Sequence, residues 1–204
     1  MNLEFINIGK ISLSDKVVIS DPCYTRDVWC MIEGLSVQPG TYQTHGFRVH
    51  ANATWGKVVV GLLCYNVNEF KDENELYASK KWEYVDAIGV DSAHAGIFDD
   101  TIFPSLGEDN ESFKVKFWNT LDDTDCGLYE DKGIVSGSGF GDGSYYVFSI
   151  KKNDASIAIL IDFELRFGAD SRELFTNFQY PSGEQVDRYV KRQLKEKPIK
   201  KYSG

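Results

Sequence analysis

Three aspartates stand where apolar runs give way to turns, positions at which a carboxylate can be held by its own backbone or offered to a ligand. Val17-Val18-Ile19 ends at Ser20-Asp21-Pro22, and the proline pushes Asp21 into an extended or turn conformation and stops ladder pairing there. The stretch Trp82 to Val90 ends at Asp91-Ser92-Ala93-His94-Ala95-Gly96, a small-residue turn, and Asp142 lies between Gly141 and Gly143. The ordinary role of such a carboxylate is to accept backbone N–H groups of its turn, for Asp21 those of Cys23 or Tyr24. Its functional role is to line the rim of a pocket. If the three turns converge, the candidate ligand-binding set is Asp21, Tyr24, Asp91, Ser92, His94, Ser138, Gly141, Asp142 and Tyr145. Arg26 is close enough in sequence to pair with Asp21.

Other chemistries are weaker. Ser92 and His94 invite a nucleophile and base reading, yet no G-x-S-x-G elbow surrounds them, and a hydrogen-bonded turn is the better account. His45 and His50 are five apart in a strand and so face opposite ways, a poor metal pair. The acidic run Asp122-Asp123-Thr124-Asp125 fails the calcium-loop pattern, because the twelfth position counted from Asp123 is Ile134 rather than glutamate. Glycines at 133, 137, 139, 141 and 143 do not make a phosphate loop, since a strand rather than a helix follows and no lysine is in place. Their spacing favours close packing against a sheet or an aromatic ring. Neither a cofactor nor a metal is implied, and no residue is assigned a catalytic role.

Several of these stretches carry a resemblance. Gly133-Ile134-Val135-Ser136, Ser138-Gly139-Phe140-Gly141-Asp142-Gly143-Ser144-Tyr145 and Ile159-Leu160-Ile161-Asp162-Phe163 form one block, preceded by Asp21-Pro22-Cys23-Tyr24 and by Val90-Asp91-Ser92 with Ala95-Gly96-Ile97-Phe98-Asp99. Spread over positions 18 to 163, they resemble in order the blocks of a bacterial and phage family catalogued as a domain of unknown function. The resemblance implies a fold and a phage or bacterial cytosol, and it implies no activity. At Ala93 the family is expected to carry glycine, and at His94 a polar amide, so a site built on close backbone approach at this turn is not carried over.

The elements that must position these residues are mostly strands. Leu3 to Ile8, Lys16 to Ser20, Thr41 to Val49, Lys57 to Tyr65, Trp82 to Val90, Ile97-Phe98 and Tyr145 to Ile150 read as strands from their β-branched and aromatic content. Ile157-Ala158-Ile159-Leu160-Ile161 reads as a strand buried on both faces, joined to its predecessor by the turn Lys151-Lys152-Asn153-Asp154, with Asp162 at its end. Val28 to Ile32 reads as a short helical turn. Glu108-Asp109-Asn110 offers capping chemistry to a helix whose stripe is Phe113, Phe117, Trp118 and Leu121, and Ser182-Gly183-Glu184-Gln185 opens a C-terminal helix over about 182–197, followed by a short basic tail. The expectation is a single β-rich domain over 1–204: an antiparallel sandwich or rolled sheet of about ten strands with two peripheral helices.

Composition bounds the partners. With 204 residues, 42% hydrophobic, the chain can bury roughly 70% of its unfolded surface. No 18-residue apolar run exists and Met1-Asn2-Leu3-Glu4 lacks signal-peptide character, so a cytoplasmic location without membrane contact is expected. Cys23, Cys30, Cys64 and Cys126, without C-x-x-C spacing, then read as reduced thiols. The net charge is -9, yet 184–201 holds seven basic residues against three acidic ones, leaving -13 elsewhere, and an acidic body disfavours nucleic acid. The expected function is a binding or accessory module that recognises a small molecule or partner protein at a cleft of strand-end turns. A metal-assisted hydrolase using the same aspartates is the alternative.

Overall fold

In a computed structural model the described residues are 3–52, 54–70, 75–76, 79, 81–105 and 110–163. They form eleven strands: β1 (Leu3–Leu13), β2 (Lys16–Ser20), β3 (Ile32–Ser36), β4 (Gly40–Asn52), β5 (Gly56–Asn66), β6 (Glu83–Val90), β7 (His94–Asp99), β8 (Cys126–Tyr129), β9 (Gly133–Gly137), β10 (Gly143–Lys152) and β11 (Ala155–Asp162). One helix, α1 (Glu111–Trp118), lies between β7 and β8. The strands make a six-stranded sheet, β1-β4-β5-β11-β10-β6, and a five-stranded sheet, β3-β2-β7-β9-β8, each with antiparallel neighbours and not closed into a barrel. The C-terminal helix expected over 182–197 and its basic tail lie outside the described residues.

The apolar run of β11 is buried on both faces, as its sequence requires. Ile159 and Ile161 point into the core between the sheets with Val59, Leu62 and Ile19. Ile157, Ala158 and Leu160 point outward to Leu63 and Phe148, where Phe70, Leu76 and Trp82 from the β5–β6 connection cover them. Asn153 and Asp154 take φ of +51° and +65°, the paired left-handed geometry of a tight hairpin between β10 and β11. Helix α1 lays Phe113 and Phe117 on the outer face of the five-stranded sheet, against Val18, Phe98, Tyr129 and Val135. Asn110 stands at its N-terminus without a side-chain capping bond.

The structure corrects two local readings. Val28 to Met31 is a turn, closed by the Met31 N–H on the Val28 carbonyl, and Ile32 already belongs to β3. Leu3 to Leu13 is one strand with a bulge between Asn7 and Gly9, which lets β1 approach Leu128 of β8. The first glycines of the 133–143 segment pack as their spacing predicts: Gly133–Gly137 is strand β9 with all five residues buried, and a side chain at Gly133 would meet the Phe98 ring. Glycine there serves close packing.

A two-stranded ribbon links the sheets. Strand β6 pairs with β10 in the six-stranded sheet, with Val90 opposite Gly143, and their continuations β7 and β9 pair in the five-stranded sheet, with His94 opposite Gly137. Residues 91–93 and 138–142 are therefore the two sides of one bend, at which both chains leave one sheet and enter the other.

Because Leu62 is wholly buried between the sheets, Leu62→Ala should cost about 2–5 kcal/mol of stability. Val115→Ala, on the exposed side of α1, should stay within about 0.5 kcal/mol. Denaturant midpoints of the two variants check the contrast.

Candidate functional site

The bend in the ribbon is where the strand-end aspartates meet. Asp21, at the end of β2, is fully buried. Its Oδ1 accepts the Cys23 N–H at 2.7 Å, the Asx turn expected from sequence, and the Ser92 hydroxyl at 2.8 Å. Its Oδ2 accepts the N–H groups of Asp91 and Ser92 at 2.8 and 2.7 Å. Four donors thus converge on one carboxylate, three of them from residues some 70 positions away along the chain.

The remaining candidates extend the same network. Tyr24 donates its hydroxyl to Asp91 Oδ2 at 2.7 Å. Asp142 Oδ1 accepts the Ala93 N–H at 3.1 Å, and the Ala93 carbonyl accepts the Ser138 N–H at 2.9 Å. The Ser138 hydroxyl donates to the Gly141 carbonyl at 2.9 Å, while the Tyr145 hydroxyl lies 2.8 and 2.5 Å from the Ser138 and Gly141 carbonyls. All nine candidates share this one hydrogen-bonded junction, with Asp91 and Asp142 at its exposed surface and Asp21, Ser138 and Tyr145 inside.

The geometry bears on chemistry. The Ser92 hydroxyl is spent on Asp21, and the ring of His94 faces the Ser92 backbone carbonyl instead, with Nδ1 2.7 Å from that oxygen. No imidazole therefore activates the serine. Burial is the main influence on the Cys23 thiol and leaves it raised above its ordinary value despite the nearby Ser92 hydroxyl, so it is not poised as a thiolate. Among the described residues no group of three or more His, Cys, Asp or Glu side chains is placed to hold a metal ion. His45 is buried and stacked on Tyr65 whereas His50 is exposed, in keeping with their opposite faces.

Arg26 does not pair with Asp21. It binds Asp100 at 2.9 Å and the carbonyls of Asp100, Phe103 and Pro104, and its guanidinium lies 5.6 Å from the Phe103 ring centroid. Asp21 is already filled by three N–H groups and the Ser92 hydroxyl, and the 100–104 loop offers the guanidinium several acceptors.

Sequence reasoning passed over two carboxylates. Asp99, at the far end of β7, is fully buried and accepts the Ser14 N–H at 2.5 Å and the Thr101 N–H at 3.0 Å. Burial pushes its carboxyl up, and the Thr101 hydroxyl with the Ser14 and Thr101 N–H groups pulls it below its ordinary value. Asp99 ends an apolar strand just as Asp21 does, so the same signal was available. Asp125, from the acidic run rejected for calcium, approaches Gly137 so closely that any side chain there would collide with its carboxylate.

Ala93 sits at φ +59°, a left-handed conformation that glycine adopts without cost. Ala93→Gly should therefore raise stability by about 1 kcal/mol. Asp21→Asn keeps the shape but turns an amide toward buried N–H groups and should cost about 3 kcal/mol, against about 1 kcal/mol for Ser92→Ala. Chemical denaturation of the three variants, read for sign and order, checks the assignment.

Comparison of the chain with protein-family models, with curated proteins and with solved structures finds no match, so these internal contacts are what a functional reading has to rest on.

Proposed function

We propose that the protein is a binding or accessory module that recognises a small molecule or partner protein at the junction of residues 21–24, 91–94 and 138–142. The observation that supports this reading most is that three turns far apart in sequence are bonded into one rigid surface by main-chain donors and aspartate acceptors. A surface fixed in this way loses little conformational entropy on binding. Its exposed part combines the Asp91 and Asp142 carboxylates with Phe140, which packs edge-on against Trp55, and Trp118, half exposed beside His94. Aromatic rings framed by polar groups are a common composition of recognition surfaces.

The hydrolase alternative has no observation in its favour. A base or metal ligand needs a free oxygen, and both oxygens of Asp21 already accept two donors each.

Thermal shift of the whole chain against a metabolite and nucleotide panel, with a parallel pull-down, tests the proposal. A ligand or partner should emerge whose binding weakens several-fold in Phe140→Ser and Asp91→Ala, while the free variants melt close to the parent. Silence in both experiments, or a binder indifferent to both changes, would overturn it.

A further inference from the structure

Both nitrogens of His94 face groups that only accept hydrogen bonds. Nδ1 lies 2.7 Å from the Ser92 carbonyl oxygen and Nε2 lies 3.6 Å from Asp125 Oδ1. A neutral imidazole has a single N–H, so it can serve one acceptor while turning a lone pair on the other; the imidazolium serves both.

The neighbours of the ring agree with that state. Helix α1 supplies two aromatic rings, Phe117 and Trp118, at 5.5 and 4.8 Å, and its cation Lys114 is paired with Glu111. Strand β9 supplies Gly137 opposite His94, which brings no charge. The turn before β8 supplies the Asp125 carboxylate and the end of β2 supplies Asp21, while Asp142 holds the adjacent Ala93 N–H. Burial pushes the imidazole down, but Asp125, the Ser92 carbonyl and the charge on Asp21 together outweigh it, and the group titrates above its ordinary value.

We propose that His94 is a proton-operated latch: as the imidazolium it joins the Ser92 carbonyl to the Asp125 carboxylate, fastening the 122–125 turn and the end of α1 to the junction, and loss of its proton loosens that fastening. Asp125 ties the turn to β9 beside the Cys126–Ser136 pair, since its carbonyl accepts the Gly137 N–H at 2.9 Å, and its N–H closes the turn on the Asp122 carbonyl at 2.9 Å. On the other side of the turn, the Arg48 guanidinium donates to the Asp123 carbonyl at 3.3 Å, a contact in which His94 takes no part, so the loosening is confined to the Asp125 side. A histidine whose native value is raised contributes stability fully below its unfolded value, near 6.5, and that contribution is lost as pH rises through the native midpoint.

NMR titration of the imidazole C–H signals of the whole chain, with amide exchange of Asp125 and Gly137 followed over the same range, tests the latch. His94→Gln assigns the signal among the three histidines. The His94 midpoint should lie above 6.5, and Asp125→Asn should lower it by roughly half a pH unit or more. Asparagine tolerates the φ of +59° at position 125, so that backbone is retained. Above the midpoint, wild-type protection at Asp125 and Gly137 should fall several-fold beyond the intrinsic rise in exchange, and in His94→Gln it should not. A midpoint at or below 6.5, or wild-type protection that is the same on both sides of it, would overturn the proposal without any variant having to fold.

Discussion

The buried carboxylate of Asp21 is the constraint on which the arrangement of the two sheets depends. A charge with no solvent contact is tolerated only when its lone pairs are filled, and here four donors fill them. Three of those donors belong to the bend between β6 and β7. The end of β2, in the five-stranded sheet, is therefore bonded to the place where the ribbon arrives from the six-stranded sheet. Asp142 does the same from the returning chain by accepting the Ala93 N–H. Main-chain groups that leave ladder pairing at a corner must find acceptors elsewhere, and at this corner aspartates supply them.

This use of carboxylates shapes the functional reading. Asp21 is committed to the backbone and Ser92 is committed to Asp21, so neither is available to move a proton in a reaction. In the proposed reading the junction meets its partner through its outer surface, on which Asp91, Asp142, Phe140 and Trp118 are exposed. Asp99 repeats the device at the opposite end of β7, tying Ser14 and Thr101. The residue types that suggest a cleft of acids are thus the residue types a sandwich needs at its corners, and convergence of aspartates alone does not separate site from scaffold.

Interlocking aromatic packing supports the outer layers in the same way on both sheets. Phe98 contacts Phe103, Phe113 and Tyr129 at ring distances of 5.3–5.7 Å, which holds α1 down on the five-stranded sheet. Tyr84, Tyr146 and Phe148 interlock on the six-stranded one. With both outer faces covered, β5 and β11 can be apolar on each side without exposing a patch.

The sequence by itself determined what local rules can see. β-branched and aromatic content marked most strands, the unbroken run 157–161 marked a strand buried on both faces, Asn153-Asp154 marked the tight turn, and Phe113 with Phe117 marked the helix face. The Asx turn from Asp21 to Cys23 was legible too, because both partners lie within three residues. Tertiary structure decided the rest. That Asp21 also takes the N–H groups of Asp91 and Ser92, that Arg26 turns to Asp100, and that Gly133–Gly137 is a buried strand are matters of long-range pairing. A glycine carries no side-chain pattern to betray its strand. A carboxylate's composition does not name its donors either, since which distant backbone arrives beside it is set by how the two sheets pack.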